Sequence, residues 1–404
     1  MKSLGIGACV GTVLAVLAGC QDRVTDAWSR TVPPEVLAKA GLHYYWRAEL
    51  PLQRDQGEQV VRLWRLDENV YALTNRNRLI ALNAVNGRLR WFYTVAKPSQ
   101  KVFAPCHADH VLIPKGPAGG IRALLNPPEV SSLKPFDGVI INTLGYALLI
   151  DRKTGRLSRK LHFNFAANSP GSSDGTLFYV GSVKGWYHAV RLSDGLVQWT
   201  MSTGDMISAR PVVFNRRLYV ASQDHRFYAI NPELQSNRRL WAQTTDGPIT
   251  ADFVVDNRGC FVPSQDYKLY AYDLLTGVPL WVFRTEGPLR APVQVGQRSC
   301  FQYAENDRFY AIDIGSGRKR WELADGRVVL AAVPPHVFVL TDRRRLRMVH
   351  EALGKTELIL PMTGFDLFVP NATKDLIIAG TRDGQVACIR PLDASKLTEP
   401  MLKD

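Results

Sequence analysis

The sequence lacks several of the short motifs by which enzymes and membrane proteins are recognised. It contains no phosphate-binding glycine-rich loop and no aspartate-rich calcium loop. Cysteine is scarce, with 6 among 404 residues, and no Cys-x-x-Cys pair occurs, so a redox or structural zinc motif has little support. Beyond the first twenty residues no stretch approaches the run of about eighteen apolar residues that a transmembrane helix needs. These absences argue against an enzyme and against a membrane-spanning body.

The start of the chain has the composition of an export signal. Lys2 is followed by an apolar run that ends at Leu17, and small residues come next. A charged start, an apolar stretch of this length and a small-residue cleavage site predict a secretory signal peptide over residues 1–19. The mature chain would therefore begin outside the cytoplasm.

The residues at the predicted cleavage site suggest a lipid anchor. Leu17-Ala18-Gly19-Cys20 resembles the bacterial lipobox, which implies that Cys20 is acylated and holds the chain on a membrane. Gln21 follows rather than aspartate, so the resemblance implies the outer membrane, on its periplasmic side. Residues 20–42 are then predicted to be a lipid-anchored tether.

A tryptophan-bearing motif recurs about every forty residues along the rest of the chain. The full unit is Ala-x-Asp/Asn-x-x-Thr/Ser-Gly-x-x-x-Trp, as in Ala271 to Trp281. The acidic or amide residue caps its own backbone and the glycine takes a positive φ, so the unit predicts a tight turn between two strands. A period of this length is typical of β-propellers. The repeat residues are Gly87, Gly195, Gly277 and Gly317 with Trp91, Trp199, Trp241, Trp281 and Trp321.

Runs of β-branched and aromatic residues precede each motif, so each repeat is predicted to form a blade of four antiparallel strands. The units predict an all-β, eight-bladed propeller over residues 43–397, followed by a tail over residues 398–404. Seven blades is the alternative, because the unit that ends near Leu358 has no tryptophan. The N-terminal stretch Tyr45–Leu52 resembles the Trp281 strand, so we expect it to complete the last blade and close the ring.

Basic residues exceed acidic ones, giving a formal net charge of +13. The turn between the second and third strands carries a base in every unit except the second, which predicts a positive ring on one face. Acidic residues at matching positions of neighbouring loops favour local ion pairs over a dedicated anion surface. Arg343, Arg344 and Arg345 lie in the unit that has lost its motif, so we expect these three to be candidates for binding a partner. An exported lipoprotein rarely meets nucleic acid, so we expect no nucleic-acid partner.

One sequence cluster combines residue types that bind metals, Cys106-His107-Ala108-Asp109-His110. Its spacing matches no metal motif, so we expect an ordinary polar turn and no metal. Cys260 and Cys300 hold the same strand position in adjacent units and are expected to be small core residues. A disulfide between them stays an alternative in an oxidising compartment.

An insertion over residues 115–136 separates the first two strands of the second unit. It contains Leu124 and Leu125, which are unusual for a free loop. Long insertions on repeat scaffolds are often where partners bind, and Leu124 and Leu125 are therefore further candidates. Packing of the insertion across the mouth of the central channel is the alternative.

The repeats resemble the pyrroloquinoline-quinone-type propeller family over nearly the whole mature chain. Quinoprotein dehydrogenases of this fold would imply an oxidoreductase, but they carry an adjacent cysteine pair and a carboxylate-rich calcium site. This sequence has no Cys-Cys pair, and no such calcium site can be assigned, so we expect no cofactor.

The propeller repeats joined to a lipobox resemble the BamB-type lipoproteins of the outer-membrane β-barrel assembly machinery. This resemblance implies a non-enzymatic scaffold that binds protein partners through its propeller and is monomeric. A cell-envelope sensor that binds carbohydrate is an alternative, for which Trp186 is the candidate stacking residue. A quinone-dependent dehydrogenase is the least favoured alternative.

Overall fold

The computed structural model describes Trp28 and residues 30–112 and 135–403. These residues form eight sheets of four antiparallel strands each, arranged as the blades of a ring. The prediction of an all-β, eight-bladed propeller is confirmed, and the seven-bladed alternative is wrong because the seventh unit supplies four strands of its own.

The first four blades follow one another along the chain. Blade 1 contains β2 (Val60–Leu66), β3 (Asn69–Thr74), β4 (Arg78–Asn83) and β5 (Leu89–Thr94). Blade 2 contains β6 (Cys106–Val111), β7 (Phe136–Asn142), β8 (Tyr146–Asp151) and β9 (Leu157–His162). Blade 3 contains β10 (Ser172–Ser173), β11 (Leu177–Gly181), β12 (Trp186–Arg191) and β13 (Val197–Ser202). Blade 4 contains β14 (Val212–Phe214), β15 (Arg217–Ala221), β16 (Arg226–Ile230) and β17 (Arg239–Thr244).

The last four blades complete the ring. Blade 5 contains β18 (Val254–Asp256), β19 (Gly259–Ser264), β20 (Lys268–Tyr272) and β21 (Pro279–Arg284). Blade 6 contains β22 (Gln294–Val295), β23 (Ser299–Tyr303), β24 (Phe309–Asp313) and β25 (Lys319–Leu323). Blade 7 contains β26 (Gly326–Val333), β27 (His336–Thr341), β28 (Arg345–His350) and β29 (Thr356–Pro361). Blade 8 contains β30 (Leu367–Phe368), β31 (Ile377–Gly380), β32 (Gln385–Pro391) and, from the N-terminal side, β1 (Leu42–Glu49).

The N-terminal strand closes the ring as predicted. β1 pairs antiparallel with β32 and takes the place of the fourth strand of blade 8. Trp46 on β1 is buried, and its indole N–H donates to the carbonyl of Ala84 in blade 1 over 2.9 Å. The two ends of the chain are therefore held together by a sheet and by a contact to the next blade.

The repeat motif has the same local structure in most blades. The alanine of the unit lies directly opposite the tryptophan across the two outer strands, as Ala271 does opposite Trp281. A glycine with positive φ follows the turn, for example Gly277 at +73° and Gly317 at +69°. The small alanine side chain leaves room for the ring, and the glycine lets the chain reverse without a Cβ clash.

Consecutive blades are joined by contact between this tryptophan and the glycine turn of the next blade. A Cβ atom added to Gly317 would lie 2.6 Å from Cδ2 of Trp281, so the indole rests directly on the glycine backbone. The Trp281 indole N–H donates to the carbonyl of Ile314 in the same turn over 2.9 Å. Trp281 thus adds a hydrophobic contact and one hydrogen bond between sheets. The same pairing of tryptophan and glycine occurs for Trp46 with Gly87, Trp91 with Gly155, Trp241 with Gly277 and Trp321 with Gly354.

Three of the eight interfaces depart from this pattern, and one of them joins blades 7 and 8, because blade 7 has no tryptophan. In blade 2, Arg159 occupies the tryptophan position, and Leu161 contacts Gly195 of blade 3 instead. Blade 4 has a turn two residues longer, and the guanidinium of Arg238 lies 5.0 Å from the Trp199 ring centre. The indole nitrogen of Trp199 has no hydrogen-bond partner among the described residues. The ring of blades is therefore least regular at blades 2 to 4.

The described part of the N-terminal segment packs against blades 7 and 8. It contains helix α1 (Pro34–Ala38), and Val32 and Leu37 are buried with Leu346 and Phe365. At the other end of the chain, helix α2 (Glu399–Leu402) buries Leu402 against blades 8 and 1. Neither helix, nor any other in the described part of the chain, is long and apolar enough to cross a membrane.

Cys260 and Cys300 lie in the core on β19 and β23, as buried free thiols. They do not form the disulfide that was the alternative prediction. Burial raises the pKa of both thiols well above its usual range, so both stay protonated at neutral pH.

We expect Trp281→Ala to lower the free energy of unfolding by about 3 to 5 kcal/mol, because it removes a buried ring and leaves a cavity between two blades. Trp186→Ala is the matched control, since this indole is 41% exposed and the change should cost about 0.5 kcal/mol or less. Urea denaturation of both variants measures the difference. Similar small losses in both would show that the indole does not join the blades.

We expect Gly317→Ala to be more destabilising than Gly41→Ala by about 1 to 3 kcal/mol, because the added methyl group must displace the Trp281 indole. Gly41 has nearly the same φ, +67° against +69°, but nothing lies within 4 Å of an added Cβ. The comparison therefore separates backbone strain from the contact between blades, and thermal melts of both variants measure it. Equal losses of stability in the two variants would show that backbone strain alone, and not the contact with Trp281, causes the destabilisation.

Candidate functional site

The turns between the second and third strands lie on one face of the propeller together with the loops that leave each fourth strand. We call this the turn face. The loops are bound to the turns in a repeated way: the N–H groups of Thr203, Thr245 and Thr285 donate to the carbonyls of Gly185, His225 and Tyr267 over 2.7 to 2.8 Å. The turn face is therefore built from backbone that is hydrogen-bonded within each blade.

A second repeated contact joins neighbouring blades on the turn face. Asp307 in blade 6 accepts the Tyr310 hydroxyl over 2.7 Å and the N–H of Glu286 from blade 5 over 3.0 Å. Asp266 with Tyr270 makes the same contacts one blade earlier, and Asp224 with Tyr228 makes them two blades earlier. Burial and the nearby carboxylate raise the pKa of Tyr228 to about 12, so the phenol stays a hydrogen-bond donor. These tyrosines support the face rather than bind ligands.

Several bases of the turn face form local ion pairs. Lys268 pairs with Asp246, and Arg308 pairs with Glu322 over 2.9 Å. Arg78 is buried against Glu58 over 2.5 Å. These pairs neutralise part of the positive ring, in the way that the acidic residues of the neighbouring loops led us to expect.

The arginine run in blade 7 is only partly paired. Arg344 lies at the tip of the turn between β27 and β28 and binds Asp366 over 2.9 Å. Arg343 and Arg345 are exposed, and no ion pair joins either of them to another residue of the described chain. This turn therefore presents free positive charge.

An apolar groove opens between blades 2 and 3, where the turn of blade 2 lacks a base. Leu144 and Gly145 of that turn form one wall, and Val183, Lys184 and Trp186 of blade 3 form the other. The groove has a volume of about 880 Å³. Leu144, Val183 and Trp186 are each at least 40% exposed, which makes this an apolar stretch within an otherwise charged face.

Stacked rings form the floor of the groove. Phe165 lies between Phe163 and His188, with ring centres 4.8 Å and 3.5 Å away and the planes nearly parallel. Burial lowers the pKa of His188 to about 4, so this ring is neutral at pH 7. Both faces of Phe165 are covered, and Trp186 is therefore the ring of this groove that offers an open face to a ligand.

A second, basic groove lies on the other side of the outer strand β13. It has a volume of about 660 Å³ and is lined by Arg226, Arg238 and Arg239. Thr200 on β13 borders both grooves. The surface therefore runs from apolar to cationic across a single edge strand.

The predicted polar turn at Cys106–His110 is wrong, because these residues form β6, the first strand of blade 2. The pattern was misread because the alternating small and polar residues of an inner strand look like a turn. His107 Nδ1 lies 2.7 Å from Asp67 of blade 1, and its Nε2 lies 3.0 Å from the Tyr71 hydroxyl. The cluster therefore links blades 1 and 2.

Arg152 supplies the positive charge of this cluster. Its buried guanidinium lies 3.2 Å from Glu68, 2.8 Å from Asp109 and 3.3 Å from Asp137. Ligand atoms of Asp67, Glu68 and His107 lie within 4.8 Å of one another, a spacing that suits a metal ion. The guanidinium already contacts these groups, so the arrangement is an ion network between blades that carries its own cation.

Gly171-Ser172-Ser173-Asp174-Gly175 has the Gly-x-Ser-x-Gly spacing of a hydrolase nucleophile. It joins the short strands β10 and β11 rather than a strand and a helix. The Ser173 hydroxyl donates to the carbonyl of Leu177 over 2.8 Å. The segment is a turn that stabilises itself, and it lacks the geometry of a nucleophile elbow.

Three of the predicted site residues lie outside the described residues. They are Cys20, the predicted acylation site, and Leu124 and Leu125 of the insertion. The groove itself was not predicted beyond Trp186, because its walls come from segments of blades 2 and 3 that are far apart in sequence.

Comparison with known proteins gives the same fold. Residues 233–401 match the family model PQQ_2, described as outer membrane protein assembly factor BamB. The chain is a PQQ-like repeat β-propeller that resembles BamB. The crystal structure of BamB from Moraxella catarrhalis aligns with a TM-score of 0.63 at 14% identity, covering 88% of this chain and 99% of that one.

A crystal structure of the computationally designed Ika8 protein aligns almost as well, with a TM-score of 0.62 at 11% identity over 86% of this chain and 99% of that one. No curated protein matches the sequence. At such identities the structural likeness establishes the fold alone.

We expect Arg152→Met to lower the free energy of unfolding by about 2 to 4 kcal/mol at pH 7, because it leaves buried and half-buried carboxylates without their cation. Burial opposes ionisation of Asp137, but the His110 N–H and the Arg152 charge outweigh it and lower the pKa of this carboxyl below its unfolded value. Its stabilising effect is therefore present above pH 4 or so and is lost as the pH falls through the folded pKa.

The loss caused by Arg152→Met should accordingly shrink as the pH falls below about 4 and through the lowered pKa of Asp137. Urea denaturation across this range measures it. Arg216→Met is the control, since Arg216 pairs with Glu233 on the surface and should contribute about 1 kcal/mol or less. A loss independent of pH would show that Arg152 stabilises by packing alone.

Proposed function

We propose that this protein is a non-enzymatic, lipid-anchored scaffold of the periplasm that binds protein partners through its turn face. The apolar groove between blades 2 and 3 carries the proposal. Exposed Leu144, Val183 and Trp186 border a floor of stacked rings, and the surrounding turn face is polar and hydrogen-bonded. An exposed apolar groove with a polar rim is typical of a protein-binding site.

The lipobox-like sequence at Cys20 supports the anchor, and Gln21 supports the outer membrane. The match of residues 233–401 to the BamB family model supports outer-membrane protein assembly as the setting. We therefore propose that the partners are proteins of the cell envelope, including components that assemble outer-membrane proteins.

The structure favours a protein over a carbohydrate as the occupant of the groove. A sugar stacks its flat face on an aromatic face, and both faces of Phe165 are already covered by other rings. Trp186 alone offers an open face, while Leu144 and Val183 offer aliphatic surface. Aliphatic surface suits the apolar side chains of a peptide segment.

The proposal is tested with a photo-crosslinking amino acid placed at Val183 in living cells. Val183 is 42% exposed in the groove, and Ile359, also 42% exposed, lies on the outer strand of blade 7 and is the matched control. We expect position 183 to capture a small set of envelope proteins and position 359 to capture none of them.

Trp186→Ala should reduce capture at position 183 by about tenfold or more, because an exposed indole in a groove is the type of residue that dominates binding energy. The same capture at both positions, or none at position 183, would contradict a partner-binding groove. Quinone absorbance after reconstitution with calcium would instead support the dehydrogenase alternative.

A further inference from the structure

The N-terminal segment leaves the propeller at a defined place on the turn face. The backbone of Arg30 and Thr31 rests on Gly364 in the loop between blades 7 and 8, where an added Cβ would overlap the Arg30 carbonyl. Val32 is buried, and its carbonyl accepts the Tyr44 hydroxyl over 2.6 Å. Whatever precedes Arg30 therefore starts from a fixed point.

Four exposed arginines surround this point, and we call them the exit cluster: Arg30, Arg343, Arg345 and Arg382. Arg30 and Arg382 border one small cavity of about 310 Å³ with Asp366. Asp366 in turn binds Arg344, which lies between Arg343 and Arg345 in sequence. Arg30 and Arg382 thus share a cavity with Asp366, and Arg343 and Arg345 flank the arginine that this carboxylate binds.

The nearby acidic groups neutralise only part of the exit cluster, since Asp383 is the one carboxylate beside Arg30 and Arg382 in this cavity that is not bound to another arginine. Asp366 is bound to Arg344, and Asp342 is paired with Arg327 over 3.4 Å. Among the described residues no ion pair involves Arg30, Arg343, Arg345 or Arg382. Elsewhere on the turn face Lys268 is paired with Asp246, whereas Lys184 and Arg226 form no ion pair within the described residues. The exit cluster is therefore one of the sites of unpaired positive charge on this face, and it is the one from which the N-terminal segment emerges.

We infer that the exit cluster binds the anionic headgroups of the lipid surface to which the chain is attached. This inference rests on the proposed lipid anchor at Cys20. The residues between Cys20 and Arg30 can span at most about 35 Å, so the exit point stays close to the bilayer. Basic residues near an anionic surface each contribute about fivefold to binding, and they act within a Debye length of about 8 to 10 Å.

This contact would orient the molecule. Blades 7 and 8 carry the exit cluster, and the apolar groove between blades 2 and 3 lies about three blades away around the eight-bladed ring. A propeller held by the rim of blades 7 and 8 keeps the groove away from the lipid and open to partners.

The test uses the full chain carrying Cys20→Ser, which cannot be acylated, and vesicles of either phosphatidylcholine alone or phosphatidylcholine with about 30% phosphatidylglycerol. The apolar N-terminal run binds both kinds of vesicle, so the ratio of the two affinities reports the charge-dependent part. We expect a ratio of about tenfold or more at low salt that falls towards one in 0.5 M salt.

Arg343→Ala with Arg345→Ala should lower this ratio by about 25-fold, or to one if the starting ratio is smaller. Arg284→Ala with Arg318→Ala is the matched control, since both are exposed arginines of blades 5 and 6, and it should leave the ratio almost unchanged. Thermal melts of both variants show whether the fold is retained.

An affinity ratio near one for the chain in which Arg343 and Arg345 are unaltered would overturn the inference. An equal loss of the ratio in both double variants would also overturn it, because it would show that only the net charge of the chain matters. The outcome is separate from the proposed function: crosslinking at Val183 tests partner binding without reference to lipid, and mass analysis of Cys20 tests the anchor itself.

Discussion

The contact between an indole and the glycine turn of the next blade is the interaction on which the rest of the structure depends. A single blade cannot bury both of its faces, so it must stack on its neighbours. The tryptophan supplies a large apolar surface, and the glycine lets the neighbouring backbone approach it without a side chain between them. The indole N–H then satisfies a turn carbonyl that would otherwise face the interface. One residue pair thus meets the apolar and polar requirements of the junction together.

Much of the fold could be predicted because this pair is local in sequence and recurs. The alanine, the glycine and the tryptophan lie within one turn and two strands, so their spacing reports the structure of each blade directly. Even the closure of the ring could be predicted, since the N-terminal strand carries Trp46 in the same sequence context as Trp281. Blade 7, which like blade 2 lacks the tryptophan, still forms because apolar residues such as Leu346 and Leu360 are buried in its core.

The candidate site was harder to predict because it lies where the repeat fails. Blade 2 has Arg159 in place of tryptophan, and the rings of Phe163 and Phe165 follow its last strand instead. They meet His188 and Trp186 from the next blade, a meeting that no local spacing reveals. The Arg152 network was missed for the same reason, since Asp67 and Arg152 belong to different blades and come together only when the ring is assembled. Residues that follow the repeat motif form the scaffold, and residues that depart from it form the candidate site.

The separation of the groove from the exit cluster follows from the ring itself. A closed propeller has no end, so two sites gain distance only by lying on different blades, and an eight-bladed ring offers the greatest separation between blades four apart. The exit cluster at blades 7 and 8 and the apolar groove between blades 2 and 3 are about three blades apart, which is close to this limit. An anionic lipid surface is bound by diffuse positive charge, whereas a protein segment is bound by a pocket from which water is excluded. The proposed lipid and protein contacts are compatible with each other because the junctions between blades keep the two sites apart.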